Sequence, residues 1–355
     1  MTETGSNHLS NNQTSLIMKM LITGGAGFIG TNAAIHFHKL GYQIVIIDNF
    51  SRVGVEHNVK YLKKQIKSLK VIRSNIQETK TYIEELIQSD VILHLAGQTA
   101  VTTSIQKPLH DFNNNLFAGI KLIEAIRSQN PEAIIIYAST NKVYGDLSHH
   151  HYQKDEKLAQ YRDTTSPQGI DENEPLSFIS PYGCSKGALD QYFLDYARTF
   201  NIPTVVFRQS CIYGPFQQGV EDQGWVAHLA KQALKKQSVT VFGDGYQVRD
   251  LLFVNDLLSA YQSAIEDISS SRGKAFNIGG GLSNAYSLVN VLELLEQVLS
   301  QKIDIHFKSA RTGDQLSFIS ANTTIKDILG WQPTTSFHQG IQHLLSWQQS
   351  FLLAK

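Results

Sequence analysis

The sequence has little cysteine and no excess of charge. Cys184 and Cys211 are the two cysteines in 355 residues, and their spacing fits no metal or redox motif. So few cysteines exclude a disulfide framework and are typical of the reducing cytoplasm, where we expect the protein to act. The 31 basic residues balance the 31 acidic ones, so neither a nucleic-acid partner nor an anionic membrane surface is indicated.

Long apolar runs are also missing. No run approaches the ~18 residues of a membrane span, so no membrane partner is expected, although 42% of the residues are hydrophobic. That fraction is enough for a large core in a bilobal or two-domain protein. Residues 1–17 are polar and lack the pattern of a signal peptide. We predict a disordered tail there, with the folded part starting near Met18 or Met20.

Three adjacent histidines, His149 to His151, open a polar stretch that runs to residue 178. A metal-binding tract is one interpretation of adjacent histidines, but within a polar stretch they more often belong to a solvated loop. The sequence therefore predicts no metal site.

A glycine-rich turn joins the first apolar run, 18–22, to the first helical pattern. Its motif, Gly25-x-Gly27-x-x-Gly30, fits the dinucleotide fingerprint. The first glycine permits a tight turn, the second lets backbone N–H groups approach a pyrophosphate, and the third lets the helix pack closely. The positive end of the helix dipole then faces the phosphates. Asp48 ends the next apolar run, where an acid is expected on the adenosine ribose. The sequence therefore predicts nucleotide binding.

Apolar, β-branched runs alternate with helical patterns through the first two-thirds of the chain. Such continuous runs suit a parallel sheet covered on both faces, so we predict an α/β fold with a Rossmann-type doubly wound sheet. The domain boundaries expected are 18–208 for the dinucleotide-binding domain, with part of 235–265 returning to it, and 209–355 mainly for a substrate lobe. Strands are predicted at 44–47, 70–73, 91–96, 133–138 and 203–208, and helices at 55–69, 81–88, 111–127 and 182–200.

Two short segments carry candidate catalytic groups. Tyr182 and Lys186 lie four residues apart, which places them on one helix face. A nearby ammonium lowers a tyrosine pKa from its usual value of ~10, making the pair a general base. Thr140 follows a predicted strand, at the edge where ligands bind. The alternatives are a helix with one exposed lysine and a threonine that caps the turn into Asn141.

Taken in order, these motifs resemble the extended short-chain dehydrogenase/reductases of the nucleotide-sugar epimerase and dehydratase group. The likeness covers about residues 18 to 345. It implies an NAD-dependent enzyme with a smaller mixed α/β C-terminal lobe, a nucleotide-sugar substrate, and a homodimer or homotetramer assembled through helices 113–127 and 182–200. The motifs behind it are the glycine turn, Asp48, His94–Gly97, Ser139–Gly145, Tyr182-x-x-x-Lys186, Val248–Asp250, Phe276–Gly279 and Arg311-x-Gly-Asp314.

The resemblance also implies residue roles. The catalytic set is Thr140, Tyr182 and Lys186. The cofactor-binding set is Gly24, Gly27, Phe28, Ile29 and Gly30 at the pyrophosphate, Asp48, Asn49, Ser51 and Arg52 at or beside the ribose, Asn75 and Ile76 at the adenine, and Leu95, Ala96, Gly97, Gln98, Asn115, Tyr182 and Lys186 elsewhere. The substrate-binding set is Thr102, Thr140, Asn141, Ser210, Cys211, Arg249 and Arg311, with both arginines clamping the diphosphate.

Departures from the group's pattern narrow the chemistry. Dehydratases carry an Asp-Glu pair after the catalytic threonine, whereas this chain has Asn141 and Lys142. Neither is a carboxylic acid, so water elimination is disfavoured. Cys211 replaces a usual asparagine, which implies an altered sugar pose or a simple buried cysteine. Asp48 repels a 2′-phosphate and favours NAD over NADP, a preference that Arg52 weakens slightly.

Within the group, the sequence is similar to the C2-epimerases of CDP-3,6-dideoxyhexoses. That likeness implies conversion of CDP-paratose to CDP-tyvelose through a transient 2-keto sugar, for lipopolysaccharide O-antigen biosynthesis. A UDP-hexose 4-epimerase with the same catalytic set is the alternative. A non-catalytic nucleotide-binding protein is disfavoured because the catalytic Tyr and Lys are both present. The segments that carry the likeness are His94–Gln98, Thr102–Ile105, Ser139–Asp146, Ser180–Lys186, Asp190–Tyr192, Asp222–Trp225 and the insertion between 146 and 180.

Overall fold

The computed structural model describes residues 17–220, 222–310 and 315–353. The predicted tail, up to residue 16, lies outside them. The strands are β1 Lys19–Thr23, β2 Gln43–Asp48, β3 Lys70–Arg73, β4 Val91–His94, β5 Ile134–Thr140, β6 Tyr152–Asp155, β7 Gln160–Asp163, β8 Thr204–Gln209, β9 Cys211–Tyr213, β10 Val239–Phe242, β11 Val248–Phe253, β12 Lys274–Ile278, β13 Ala285–Ser287, β14 Ile305–Lys308 and β15 Ser317–Phe318. The α-helices are α1 Phe28–Lys39, α2 Val55–Gln65, α3 Ile83–Ile87, α4 Val101–Gln106, α5 Pro108–Phe112, α6 Ala118–Gln129, α7 Ser180–Phe200, α8 Trp225–Leu234, α9 Val254–Glu266, α10 Ile268–Ser271, α11 Leu288–Leu299, α12 Thr323–Leu329 and α13 Phe337–Leu353.

Seven parallel strands form the central sheet, in the order β12-β8-β5-β4-β1-β2-β3. The order reverses between β1 and β4, which creates the crevice where ligands of doubly wound folds bind. Neighbouring residues of β1 point to opposite faces: Met20 and Ile22 pack with α1, α2 and α9, whereas Leu21 packs with α3, α6 and α7. Both faces of the sheet are therefore buried, as the continuous apolar strands predict.

The predicted helix over 111–127 is interrupted. After α5 ends at Phe112, residues 113–117 form a π-helical turn, and α6 begins at Ala118. Inside the turn, the Asn115 amide donates hydrogen bonds to the Gln98 carbonyl at 3.0 Å and to Asp111 Oδ1 at 2.9 Å. The Gln98 contact comes from a loop 17 residues earlier in the chain, so apolar periodicity does not indicate the bulge. Such π-turns often occur at functional sites.

A second lobe is built on a mixed sheet in which β11 pairs with β9, β13 and β15. Its apolar core joins β10 and β11 to α8, α11 and α13. The chain returns to the first lobe through α9, β12 and Trp331, whose indole N–H donates to Ser259 Oγ at 2.9 Å. Helix α9, which apart from its last residue falls within 235–265, packs with the core of the first lobe, and β12 pairs with β8 there. Strands β10 and β11 belong to the second lobe.

The polar insertion before α7 contains a hairpin. Strands β6 and β7 pair antiparallel, and the Gln160 side chain donates to Asn290 Oδ1 of the second lobe at 2.7 Å. The Tyr161 N–H donates to the Tyr246 carbonyl at 3.0 Å. The hairpin therefore packs on the second lobe. Across the described ranges, no helix has both the length and the apolar character that a bilayer span needs.

Candidate active site

The turn after β1 is shaped for close backbone approach. Gly24 has φ +68°, and a Cβ on it would lie 2.9 Å from the Ala96 backbone. A Cβ on Gly30 would lie 2.5 Å from the Gly24 carbonyl oxygen. Among the described residues, no side chain caps the N-terminus of α1 at Gly27, and the first turn carries no acidic residue. The amide groups and dipole of α1 therefore suit a pyrophosphate, and this cradle fits the dinucleotide that the sequence predicts.

The residues predicted at the adenosine come together at the ends of β2 and β3. Asp48 accepts hydrogen bonds from the backbone N–H groups of Phe50 at 2.8 Å and Ala26 at 3.1 Å. Partial burial raises the pKa of the Asp48 carboxyl above its ordinary value. The Asn49 amide donates to Asn75 Oδ1 at 2.9 Å, which ties the two strand ends together.

The other three predicted neighbours of the adenosine complete this edge. Arg52 donates to Thr99 Oγ1 at 2.6 Å, and its charge reaches Tyr182. Ile76 is buried and Ser51 exposed. Arg52 therefore lies between the predicted ribose site and the predicted catalytic tyrosine.

The segment after β4 lies beside the glycine turn. Thr23 Oγ1 accepts hydrogen bonds from the N–H groups of Leu95 and Ala96, each at 3.2 Å. Asn115 Oδ1 accepts the Gln98 N–H at 2.8 Å and would lie 2.6 Å from a Cβ on Gly97. Residues 95–98 thus line the crevice between β1 and β4.

The predicted catalytic residues meet at the end of β5. Tyr182 lies in the first turn of α7, where the side chain of Thr140, the last residue of β5, acts to lower its pKa. Lys186, one turn further along, donates to the Ala138 carbonyl at 2.5 Å, and its ammonium lies 4.3 Å from the centre of the Tyr137 ring. The structure therefore brings Thr140, Tyr182 and Lys186 to one place.

The ionisation of this group differs from the expectation. Burial raises the pKa of Tyr182 to about 12, against the opposing effects of the Thr140 hydrogen bond and the Arg52 charge. Burial lowers the pKa of Lys186 to about 7. In the protein without a bound cofactor, the pKa of Tyr182 is therefore raised, and not lowered by Lys186 as predicted. For each group, removal from water outweighs the neighbouring groups that favour its charged form.

Two buried carboxylates near the site, Asp111 and Asp190, were given no role in the sequence analysis. Asp111 accepts hydrogen bonds from the side-chain amides of Asn115 at 2.9 Å and Gln98 at 3.0 Å, and its charge acts on Lys186. Asp190 forms a two-point ion pair with Arg208, at 3.1 Å to Nε and 3.0 Å to Nη2. The four-residue spacing of Asp111 and Asn115 was the signal available, because it places both on one helix face.

Several predicted substrate residues gather across the crevice. Cys211, at the start of β9, accepts a hydrogen bond from the Trp225 indole N–H at 3.5 Å. Burial raises the pKa of the Cys211 thiol, while the nearby charges of Arg249 and Lys142 lower it. Asn141 is buried directly after Thr140. The sugar side of the site is thus assembled from β5, β9 and β11.

The remaining predicted substrate residues are less directly placed. The Ser210 hydroxyl donates to the Asp250 carboxylate, so it is engaged within the protein. Thr102 is half-buried on α4, which packs against α7. Arg311 lies outside the described residues.

Comparison with known proteins agrees with this geometry. The NAD dependent epimerase/dehydratase family matches residues 20–279. The chain is 41% identical to the CDP-paratose 2-epimerase of Salmonella typhi over 343 residues, which cover 94% of this chain and all of the relative.

Solved structures are similar as well. The UDP-glucose 4-epimerase of Thermotoga maritima with UDP-glucose superposes with a TM-score of 0.80 at 26% identity, covering 94% of this chain and all of that one. The UDP-glucuronic acid 4-epimerase of Bacillus cereus, in complex with UDP-glucuronic acid and NAD, also gives 0.80, at 27% identity and the same coverage. The predicted fold, cofactor and class of enzyme are confirmed: the chain belongs to the NAD dependent epimerase/dehydratase family.

Proposed function

We propose that this enzyme inverts C2 of a CDP-3,6-dideoxyhexose, converting CDP-paratose to CDP-tyvelose. The observation that carries the proposal is the 41% identity to a CDP-paratose 2-epimerase along the whole of that relative. Asn141 and Lys142 support it, because a dehydratase needs acidic groups at these positions. The 4-epimerases with solved structures are more distant, at 26% and 27% identity.

In this proposal Tyr182 is the general base for the sugar hydroxyl, and Thr140 shares its hydrogen bond. When bound, NAD supplies an acceptor and donor of hydride for the sugar carbon, and a positive charge that favours the phenolate. Lys186 stabilises the same phenolate and holds the nicotinamide ribose. Asp48 and the turn at Gly24 and Gly30 bind the rest of the cofactor.

The second lobe holds the nucleotide in our proposal. Arg249 is buried on β11 near Cys211, where a guanidinium suits a diphosphate. With the nucleotide held, the flat 2-keto sugar turns within the pocket and presents its other face. Tyr182 then returns the proton to the oxygen, and the cofactor ends each cycle in its starting state.

A proton NMR time course tests the substrate. Purified enzyme is mixed with CDP-paratose without added NAD, and the coupling of the sugar H2 is followed. Accumulation of CDP-tyvelose would establish C2 inversion by enzyme that carries its own cofactor. If CDP-paratose is unchanged while UDP-glucose or UDP-galactose is turned over, the chemistry belongs at C4 and the substrate assignment is wrong.

We also propose a homodimer or homotetramer. Large apolar side chains are exposed along α4 to α7, which monomers rarely leave uncovered as a patch. Multi-angle light scattering at several concentrations tests this, and a monomer throughout would refute it. The cytoplasmic location and the role in O-antigen biosynthesis stay predictions. The exposed side chains are Ile105, Leu109, Phe112, Phe117, Tyr192 and Phe200.

A further inference from the structure

The insertion before α7 brings together histidines and carboxylates that are distant in sequence. His149 Nε2 lies 2.9 Å from Glu174 Oε1, and His150 Nε2 lies 3.2 Å from Glu174 Oε2. His150 Nδ1 lies 2.6 Å from Asp163 Oδ2. The acidic partners of His150 thus lie 13 and 24 residues further along the chain.

The position of His150 is informative because both ring nitrogens face a carboxylate. A neutral imidazole has one N–H. If Nδ1–H donates to Asp163, the Nε2 lone pair points at a Glu174 oxygen, which also carries lone pairs. The contact is favourable when a cation lies between the two atoms. The cation is either a proton, which makes His150 an imidazolium, or a metal ion.

Three features favour a metal ion. Donor atoms of His149, His150 and Glu174 all lie within 4.8 Å of one another, so small side-chain movements would bring them to the roughly 3–4 Å that separates donors around one Zn²⁺ ion with bonds of ~2.0–2.2 Å. Two imidazoles and a carboxylate are ligands that Zn²⁺ prefers. Metal-binding histidines usually donate their other ring N–H to an acceptor that fixes the tautomer and the ring orientation, and Asp163 is such an acceptor at Nδ1 of His150.

We propose that His149, His150 and Glu174 bind one divalent transition-metal ion, with Asp163 orienting His150 and water completing the coordination. The His150 and Glu174 side chains are 2% and 11% exposed, whereas His149 is 57% exposed. The site is therefore anchored in the protein and open to solvent on one side, which gives the ion a path of entry.

Such an ion would fasten the insertion together. Asp163 ends the β6–β7 hairpin, His149 and His150 precede it, and Glu174 lies between it and α7. The His150 ring also stacks on Tyr152, with centroids 6.4 Å apart. The charge of Arg249 in turn acts on Tyr152, where it lowers the pKa of the phenol against the effect of burial. The proposal does not depend on the sugar that the enzyme accepts.

The test uses full-length protein with any affinity tag removed and metal stripped by a chelator. Isothermal titration with Zn²⁺ is expected to show one site per chain, with a rise in unfolding temperature. Mg²⁺, which prefers oxygen ligands, is expected to give neither effect. Co²⁺ at the same site is expected to give the visible absorption bands of a low-symmetry complex.

Variants identify the ligands. Glu174→Gln, His150→Asn and the exposed His149→Ala are each expected to weaken Zn²⁺ binding. Asp163→Asn is expected to weaken it by about 10- to 100-fold, as for other second carboxylates. His151→Ala is the matched control, because His151 is an exposed neighbour outside the group, and its affinity is expected to equal that of the wild type.

Either of two outcomes would overturn the proposal. One is no Zn²⁺ or Co²⁺ binding by the wild type, in which case the cation at His150 is a proton. The other is binding that survives in both His149→Ala and Glu174→Gln, which would place the ion elsewhere. Circular dichroism of each variant shows whether the fold is retained, and His149→Ala remains informative if a buried variant fails to fold.

Discussion

The two sides of the crevice are built in different ways. The cofactor side consists of contiguous segments at the ends of neighbouring strands: the turn at Gly24, Asp48 after β2 and residues 95–98 after β4. The sugar side combines Asn141, Cys211 and Arg249 from elements far apart in the chain. A site made of backbone amides can be recognised in the sequence from a local spacing of glycines. A site made of converging side chains corresponds only to isolated residues that share no motif.

The largest expected effect comes from Tyr182, which lies where the cofactor side and the sugar side of the crevice meet. In Tyr182→Phe the general base is lost while the ring and its packing remain. We expect kcat to fall by about 10²- to 10⁴-fold, with NAD content and unfolding temperature near those of the wild type. Turnover of CDP-paratose and cofactor content of the purified variant are the measurements. Wild-type turnover in this variant would remove Tyr182 from the catalytic set.

Lys186→Met is expected to inactivate the enzyme yet stabilise the fold. Lys186 has a pKa of about 7 when folded, against 10.5 as its ordinary value. The unfolded chain therefore binds more protons between these values, so wild-type stability rises with pH across this window. The penalty of burying the ammonium is full below about pH 7, where we expect the variant to be more stable by up to about 5 kcal/mol, since each pKa unit corresponds to about 1.4 kcal/mol.

Denaturant unfolding at several pH values checks this sign. The advantage of Lys186→Met must shrink as the pH rises from 7 towards 10. The exposed Lys235→Met is the control, and it is expected to show a constant difference from the wild type. If the stability difference between Lys186→Met and the wild type were independent of pH, burial would not lower the pKa of Lys186.

Gly30→Ala tests the cofactor side alone. The added Cβ would lie 2.5 Å from the Gly24 carbonyl and 2.6 Å from Gly25 Cα, so the turn must move away from α1. We expect a loss of about 1–3 kcal/mol in stability and of bound NAD. In the control, Gly41→Ala, φ is +92° but the described atoms leave open space around the Cβ. That change is expected to cost stability through backbone strain while NAD stays bound.

This contrast explains what the sequence predicts and what it does not. The parallel sheet, the glycine turn and the Tyr182–Lys186 spacing are local patterns, and the fold and cofactor followed from them. Asp111 was missed because its importance depends on a π-turn that Gln98 and Asn115 create. The carboxylates around His150 were missed because the β6–β7 hairpin and the segment after it bring Asp163 and Glu174 there. The raised Tyr182 pKa was missed because burial is a property of the assembled protein.

Arg249→Lys tests the sugar side alone and has the smallest expected effect. A lysine keeps the charge but loses the planar fork that binds two phosphate oxygens, so KM for the nucleotide sugar is expected to rise roughly tenfold, about 1.4 kcal/mol. Since Arg249 is far in sequence from the glycine turn, NAD content is expected to stay at the wild-type level. Arg162→Lys, on the exposed face of β7 where Arg162 pairs with Asp155 at 2.8 Å, is the matched control and is expected to leave KM unchanged. If Arg249→Lys instead lost NAD, the two sides of the crevice would be energetically coupled, although their residues lie far apart in the sequence.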